Sequence, residues 1–156
     1  MTAQLPKSQT ISSSDLYEQD FYLWIQTTAK LLKQKNFTQL DLDNLIEEIE
    51  TMGRSEKRSL ESNLEVLLMH LLKYQIQTER RSKSWQYTIL EHRRRVQKAL
   101  KESPSLKPHF DQIFDESYQT ARRLAVIETG LAIATFGEQS PFTLEQVLDS
   151  DFLPES

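Results

Sequence analysis

The 156-residue chain contains no cysteine. Its absence excludes a disulfide framework, a thiolate zinc site, a cysteine nucleophile and a cysteine-ligated iron–sulfur cluster. Glycine and proline are also scarce, with three and five residues respectively, and these are the residues that most often interrupt regular structure. Long stretches with few interruptions favour helices, so the composition predicts an all-α chain.

Long apolar runs are missing as well. No stretch approaches the roughly 18 consecutive apolar residues that a membrane-spanning helix needs, so we expect no membrane partner. The first residues are polar and lack the basic start and apolar centre of a secretion signal. Together with the missing cysteines, these features lead us to expect a cytoplasmic protein. Because its first residues are polar, we also expect residues 1–13 to form a flexible tail.

Apolar periodicity predicts three helices in the first half of the chain. The first begins near Ser14 and ends near Lys35, and the second follows Asp41, the expected N-cap. Gly53 should kink or break the second helix, because glycine inside a helix costs about 1 kcal/mol relative to alanine. The segment Leu60–Tyr74 is apolar nearly all round, which is typical of a helix packed on several sides.

Two long helices and one short helix are predicted in the second half. The fourth segment extends over residues 83–102, and the fifth over residues 105–130 with a glycine at its end. A capping box at Thr143 predicts a last short helix. Residues 131–136 fit either a helical continuation or a loop.

These segments define the expected fold. We predict an all-α helical bundle of about four to five main helices around a central apolar helix, about Leu60 to Tyr74, with a short C-terminal helix. Because 156 residues suit one domain of ordinary size, we expect a single domain over residues 1–156.

The order of landmarks is similar to that of a bacterial family known as domain of unknown function 29. The resemblance covers about residues 15–153 and implies an all-helical bundle, but it implies no established activity or catalytic residue. Its landmarks are Tyr17-x-x-Asp20-Phe21-Tyr22-x-Trp24, Met52-Gly53-Arg54-Ser55-Glu56, Met69-His70-Leu71-Leu72-Lys73-Tyr74, Ser84-Trp85, Arg93-Arg94-Arg95 and Pro141-Phe142-Thr143-Leu144.

Charge is distributed unevenly along the chain. Residues 1–72 have a net charge of −4, residues 73–107 of +7 and residues 108–156 of −7, from counts of Lys, Arg, Asp and Glu. The basic segment fits a solvated or internally paired face, which we favour, or a surface for nucleic acid or an acidic protein. Its candidate surface residues are Arg80, Arg81, Lys83, Arg94, Lys98 and Lys101.

A second candidate site is an interior polar cluster. Helical bundles build carboxylate–histidine metal sites from facing helices, although no Glu-x-x-His or His-Glu-x-x-His motif occurs in the chain. A lone histidine on an apolar face is more often a hydrogen-bonded core residue, and we favour that interpretation; the identity of any metal is left open. The cluster comprises Asp20, Glu48, His70 and His92.

No motif with a catalytic mechanism is present, and we assign no catalytic residue and predict no cofactor. Neither a glycine-rich phosphate loop nor a nucleophile elbow occurs. We therefore favour a small protein-interaction bundle, binding another protein or a second copy of itself, over an enzyme. The alternatives are a nucleic-acid-binding module that uses the basic segment and a divalent-metal-binding protein or metal-dependent enzyme that uses the polar cluster.

Overall fold

A computed structural model describes residues 12–155. The flexible tail predicted from the sequence comprises residues 1–13. Residues 1–11 of this tail lie outside the described residues, and Ser12 and Ser13 are described. Contacts group the chain into two compact units, unit one (Met1–Gly53) and unit two (Arg54–Ser156); the single domain stays a prediction. Within residues 12–155 the structure is all-α, with six α-helices and no strand.

Unit one opens with two helices where the sequence predicts one. Helix α1 is Ser13–Gln19 and helix α2 is Phe21–Lys33. Asp20 separates them because its backbone is not helical (φ −149°, ψ 86°) and its side chain accepts a hydrogen bond from the Leu23 N–H at 3.0 Å. Asp20 therefore ends α1 and caps α2, and the prediction of one continuous helix is wrong at this residue.

Helix α3, Leu42–Ile76, is 35 residues long. It passes through Gly53 without a break, so the predicted break is wrong, while a kink stays a prediction. Ending a helix there would leave unsatisfied backbone groups at two new termini, whereas continuing it costs only the weak helix preference of one glycine. The second half of α3 contains the predicted core segment Leu60–Tyr74.

Unit two packs around this second half of α3. The helices α4 (Lys83–Glu102), α5 (Lys107–Thr129) and α6 (Leu144–Leu148) complete it. Leu64, Leu67, Leu68 and Leu71 have no exposed surface, which confirms the predicted central helix. The other large buried side chains of the core include Leu60, Leu72, Ile89, Val96, Phe110, Phe114, Tyr118, Phe136 and Val147.

The connections in unit two follow the capping signals of the sequence. Helix α5 ends at Gly130, whose φ of 70° is left-handed, as expected for a C-terminal glycine. Residues 131–136 form a connection with one 3₁₀ turn, Ile133–Thr135. The capping box is confirmed, because Thr143 and Gln146 each accept a hydrogen bond from the other's backbone N–H at 3.1 and 3.0 Å. None of the described helices is long and apolar enough to cross a bilayer.

Candidate interaction surfaces

Asp20 and Glu48 lie in unit one, and each has a structural partner there. The side chain of Asp20 caps α2, as described above. Glu48 accepts a hydrogen bond of 2.6 Å from the hydroxyl of Tyr17. This bond, aided by burial and the negative charge of Glu48, raises the pKa of Tyr17 to about 12. The pair thus ties α1 to the first part of α3.

His70 and His92 lie in unit two, on α3 and α4. Their Nδ1 atoms lie 3.0 Å from the Val66 carbonyl and 2.9 Å from the Thr88 carbonyl. A carbonyl oxygen only accepts, so each Nδ1 carries a proton and donates it to the carbonyl. Burial lowers the pKa of His70, and the charges of Lys73 and His92 lower it further.

The carboxylate that acts electrostatically on His70 is Glu128, and it is already paired. Its Oε2 lies 3.3 Å from Nζ of the buried Lys73, which also sits 4.7 Å from the ring centre of Trp85. Among residues 12–155, no group of three or more histidine, aspartate or glutamate side chains is arranged to hold a metal ion. A metal role for the predicted polar cluster stays a prediction.

Arg80 and Arg81 differ in their surroundings. Arg80 is exposed in the 3₁₀ turn that precedes α4. Arg81 donates from Nε to the Tyr74 carbonyl at 2.7 Å and from Nη2 to the Pro154 carbonyl at 3.2 Å. Its guanidinium also stacks 4.3 Å from the centre of the Tyr74 ring. Arg81 thus links the backbone at Pro154 to the backbone at Tyr74 near the end of α3.

The remaining candidate cations share one exposed face of α4, which we call the α4 stripe. At about 100° per residue, the stripe covers about 80° of the helix circumference. Tyr87 and Leu90 form its centre and are 67% and 56% exposed. Two of its cations have ion-pair partners on the same helix, Arg94 with Glu91 at 3.1 Å and Lys98 with Glu102 at 3.7 Å. The stripe comprises Lys83, Tyr87, Leu90, Arg94, Lys98 and Lys101, all exposed.

Arg93 shows what the charge pattern could not predict. It adjoins Arg94, yet it is only 2% exposed and donates from Nε to the Val147 carbonyl at 2.8 Å. A run of three arginines indicates a surface, and the only contrary signal is the position of Arg93 next to the apolar seam of α4. The buried guanidinium therefore belongs to the fold of unit two and not to the α4 stripe.

Unit one has an apolar groove between α2 and the first part of α3, with a volume of about 290 Å³. Periodicity places these side chains on the apolar stripes of their helices, and several are substantially exposed: Ile49 is 60% and Met52 66% exposed. Trp24 closes the inner wall at 2% exposure, and its indole N–H donates to Asp41 at 3.2 Å. The apolar walls of this unit-one groove include Phe21, Ile25, Leu32, Leu45, Ile49 and Met52.

The surroundings of the groove are acidic. Residues 12–53 contain eight acidic and three basic side chains, a net charge of −5. The three lysines, Lys30, Lys33 and Lys35, lie at the C-terminal end of α2 and just beyond it, whereas the acids lie on α1, at the α1–α2 junction and at the start of α3. Glu48 is one of the residues that line the groove.

Comparison with known proteins identifies the family. The model of the family described as domain of unknown function DUF29 matches residues 16–153, nearly the whole chain. The protein therefore belongs to this family, which confirms the resemblance drawn from the landmarks. No curated protein and no solved structure matches the chain.

Proposed function

We propose that this member of the DUF29 family is a cytoplasmic protein-binding module, whose unit-one groove takes an amphipathic helix with basic flanks from a partner protein. The observation that carries the proposal is the exposure of a continuous apolar wall. Apolar surface gathered in one groove and left open to water is typical of a binding site.

The spacing of the exposed side chains suits a helical occupant. Phe21, Ile25 and Leu32 follow the stripe of α2, and Ile49 and Met52 follow that of α3. Two neighbouring helices with such stripes form a trough into which an amphipathic helix places residues spaced three and four apart. Burial of such side chains stabilises a complex by roughly 25 cal/mol per Å² of apolar surface.

Charge decides which helix fits best. With a net charge of −5 over residues 12–53, unit one attracts a helix whose polar flanks carry lysine or arginine and repels an acidic one. Such complementarity contributes mainly to the association rate and to the choice of partner. We therefore expect binding that weakens as salt is added.

A pair of synthetic helices tests the proposal. The first is a peptide of about 18 residues, long enough to be helical, with leucines on one face and lysines on its flanks; the second has glutamate in place of every lysine. We expect the lysine peptide to bind, measured by fluorescence anisotropy. Ile49→Lys should weaken its binding by about tenfold or more, because a cation then replaces a central apolar contact.

The matched control is Ile127→Lys. Ile127 is 78% exposed but lies on α5 in unit two, so this variant should bind the lysine peptide as the wild type does. Equal binding by the wild type and Ile49→Lys would contradict the proposal, and so would preferred binding of the glutamate peptide.

Nucleic acid is the weaker alternative. The α4 stripe has two exposed apolar side chains at its centre. Two of its basic side chains form ion pairs within α4, Arg94 with Glu91 at 3.1 Å and Lys98 with Glu102 at 3.7 Å, so they are less available to phosphates. Of the two aromatic side chains in the basic segment, Trp85 is half-buried under Lys73, whereas Tyr87 is exposed. These features support an acidic protein surface as the counterpart of the stripe.

A further inference from the structure

The α4 stripe has the chemistry that the unit-one groove requires. Tyr87 and Leu90 supply an exposed apolar centre, one helical turn apart. Lys83 precedes them, and Arg94 and Lys98 follow on the same face. The stripe is therefore a short amphipathic surface with basic ends, on a helix of 20 residues.

We propose that the partner of the unit-one groove is a second copy of this chain, which inserts the α4 stripe. This inference rests on the proposed function, since it names the occupant of the same groove. Two copies then meet through unlike surfaces: the groove of one copy receives α4 of the next.

Charge favours this pairing over a symmetric one. Apart from the buried Arg93, helix α4 contains five basic and two acidic side chains, a net charge of +3, against −5 for residues 12–53. A dimer with groove facing groove would bring two acidic surfaces together, and like charges across an interface are costly. A dimer in which two α4 stripes face each other would bring two basic surfaces together, and like-charge repulsion would disfavour it as well.

The pairing has a characteristic assembly behaviour. Each copy in a heterologous contact keeps one groove and one stripe unused, so assembly continues beyond the dimer unless a ring closes. One helix face in one groove is a small interface, and small interfaces are weak. We therefore expect an average mass that rises above the 18.3 kDa of one chain with protein concentration and falls with salt.

Two variants that each disable one surface test the inference. Ile49→Lys removes the groove and keeps the stripe, whereas Leu90→Glu removes the centre of the stripe and keeps the groove. We expect each variant alone to be monomeric by sedimentation equilibrium. An equimolar mixture should form a complex of two chains and nothing larger. In that complex the intact stripe of the Ile49→Lys chain occupies the intact groove of the Leu90→Glu chain, and no functional groove or stripe is left to bind a third chain.

Ile127→Lys and Ile127→Glu are the matched controls, because they place the same charges on an exposed isoleucine outside both surfaces. Both should assemble like the wild type, and circular dichroism should show unchanged helix content in all variants. If Leu90→Glu still self-associates, or if the mixture stays monomeric, the inference is wrong.

The peptide experiment separates the two proposals. A wild type that is monomeric at every concentration, yet binds the lysine peptide in the groove, overturns self-association and leaves the proposed function standing. If the lysine peptide also fails to bind, both proposals fall.

Discussion

Arg93 donates its Nε–H to the backbone carbonyl of Val147 at 2.8 Å, across a sequence separation of 54 residues and inside the core of unit two. Burial lowers the pKa of the guanidinium, while the charge of Asp149 raises it. Nη2 is buried without a hydrogen-bond partner among the described residues. The bond satisfies a carbonyl in α6, which is only five residues long, and so helps to fix that helix against α4.

Arg93→Ala should lower the free energy of unfolding by about 2–4 kcal/mol. The variant leaves the Val147 carbonyl without its donor and opens a cavity in the core. Arg94→Ala is the control, since Arg94 is 61% exposed on its side chain and surface ion pairs contribute about 0–1 kcal/mol. Denaturant unfolding measures both; equal losses for the two variants would contradict the burial of Arg93.

Truncation of the central helix should be among the most destabilising changes. Leu67→Ala and Leu71→Ala should each cost about 2–5 kcal/mol, because both side chains have no exposed surface and their removal leaves a cavity. Leu90→Ala removes the same atoms from a side chain that is 56% exposed, and should cost under about 0.5 kcal/mol. A loss of that small size at Leu67 would mean that the core lies elsewhere.

The bond between Tyr17 and Glu48 predicts a loss of stability in alkali. The folded pKa of about 12 lies above the ordinary tyrosine pKa of 10.0, so between these values the unfolded chain releases a proton that the folded chain keeps. Stability contributed by the pair is complete below about pH 10 and declines as the pH rises towards 12. Glu48→Gln should flatten this decline in urea unfolding curves and lower the pKa of Tyr17 in an ultraviolet absorbance titration.

The lowered pKa of His70 predicts that the stability of the fold also decreases in acid. Burial lowers the folded pKa of His70 below 6.5, and Lys73 and His92 add to the effect, while Val66 and Glu128 oppose it. As the pH falls through about 6.5, the unfolded chain takes up a proton that the folded chain resists, so stability falls. His70→Gln should make the fall less steep between about pH 7 and 5. An unchanged slope would show that His70 titrates normally.

The capping and burial patterns of unit two could be predicted from the sequence. Gly130, the capping box at Thr143 and the apolar segment around Leu67 are local signals whose meaning does not depend on distant partners. The role of Asp20 as a helix boundary could not be predicted from periodicity. Tyr17 before it and Trp24 after it fall on one face of a continuous helix, so the apolar pattern shows no interruption at Asp20. Its capping role is visible only once its non-helical backbone is known.

The candidate surfaces were harder to predict than the helices. Periodicity shows that Ile49 and Met52 share the apolar face of a helix, but it does not show whether that face is covered, and in the structure they are 60% and 66% exposed. Charge alone does not distinguish Arg93 from Arg94, whereas a rotation of 100° along the helix buries the first and exposes the second.

Gly53 provides a direct test of the continuous α3. Beyond its chain neighbours and the adjacent backbone of its own helix, a β-carbon added there would meet no atom of residues 12–155 within 4 Å, so Gly53→Ala costs no packing and restricts the unfolded chain more than the folded one. We expect it to raise the free energy of unfolding by about 0.5–1 kcal/mol. Gly130→Ala is the matched control and should destabilise, because Gly130 has a φ of 70° that residues with a side chain adopt only under strain. A destabilising Gly53→Ala, measured by the same denaturant titration, would mean that the helix is interrupted at this residue after all.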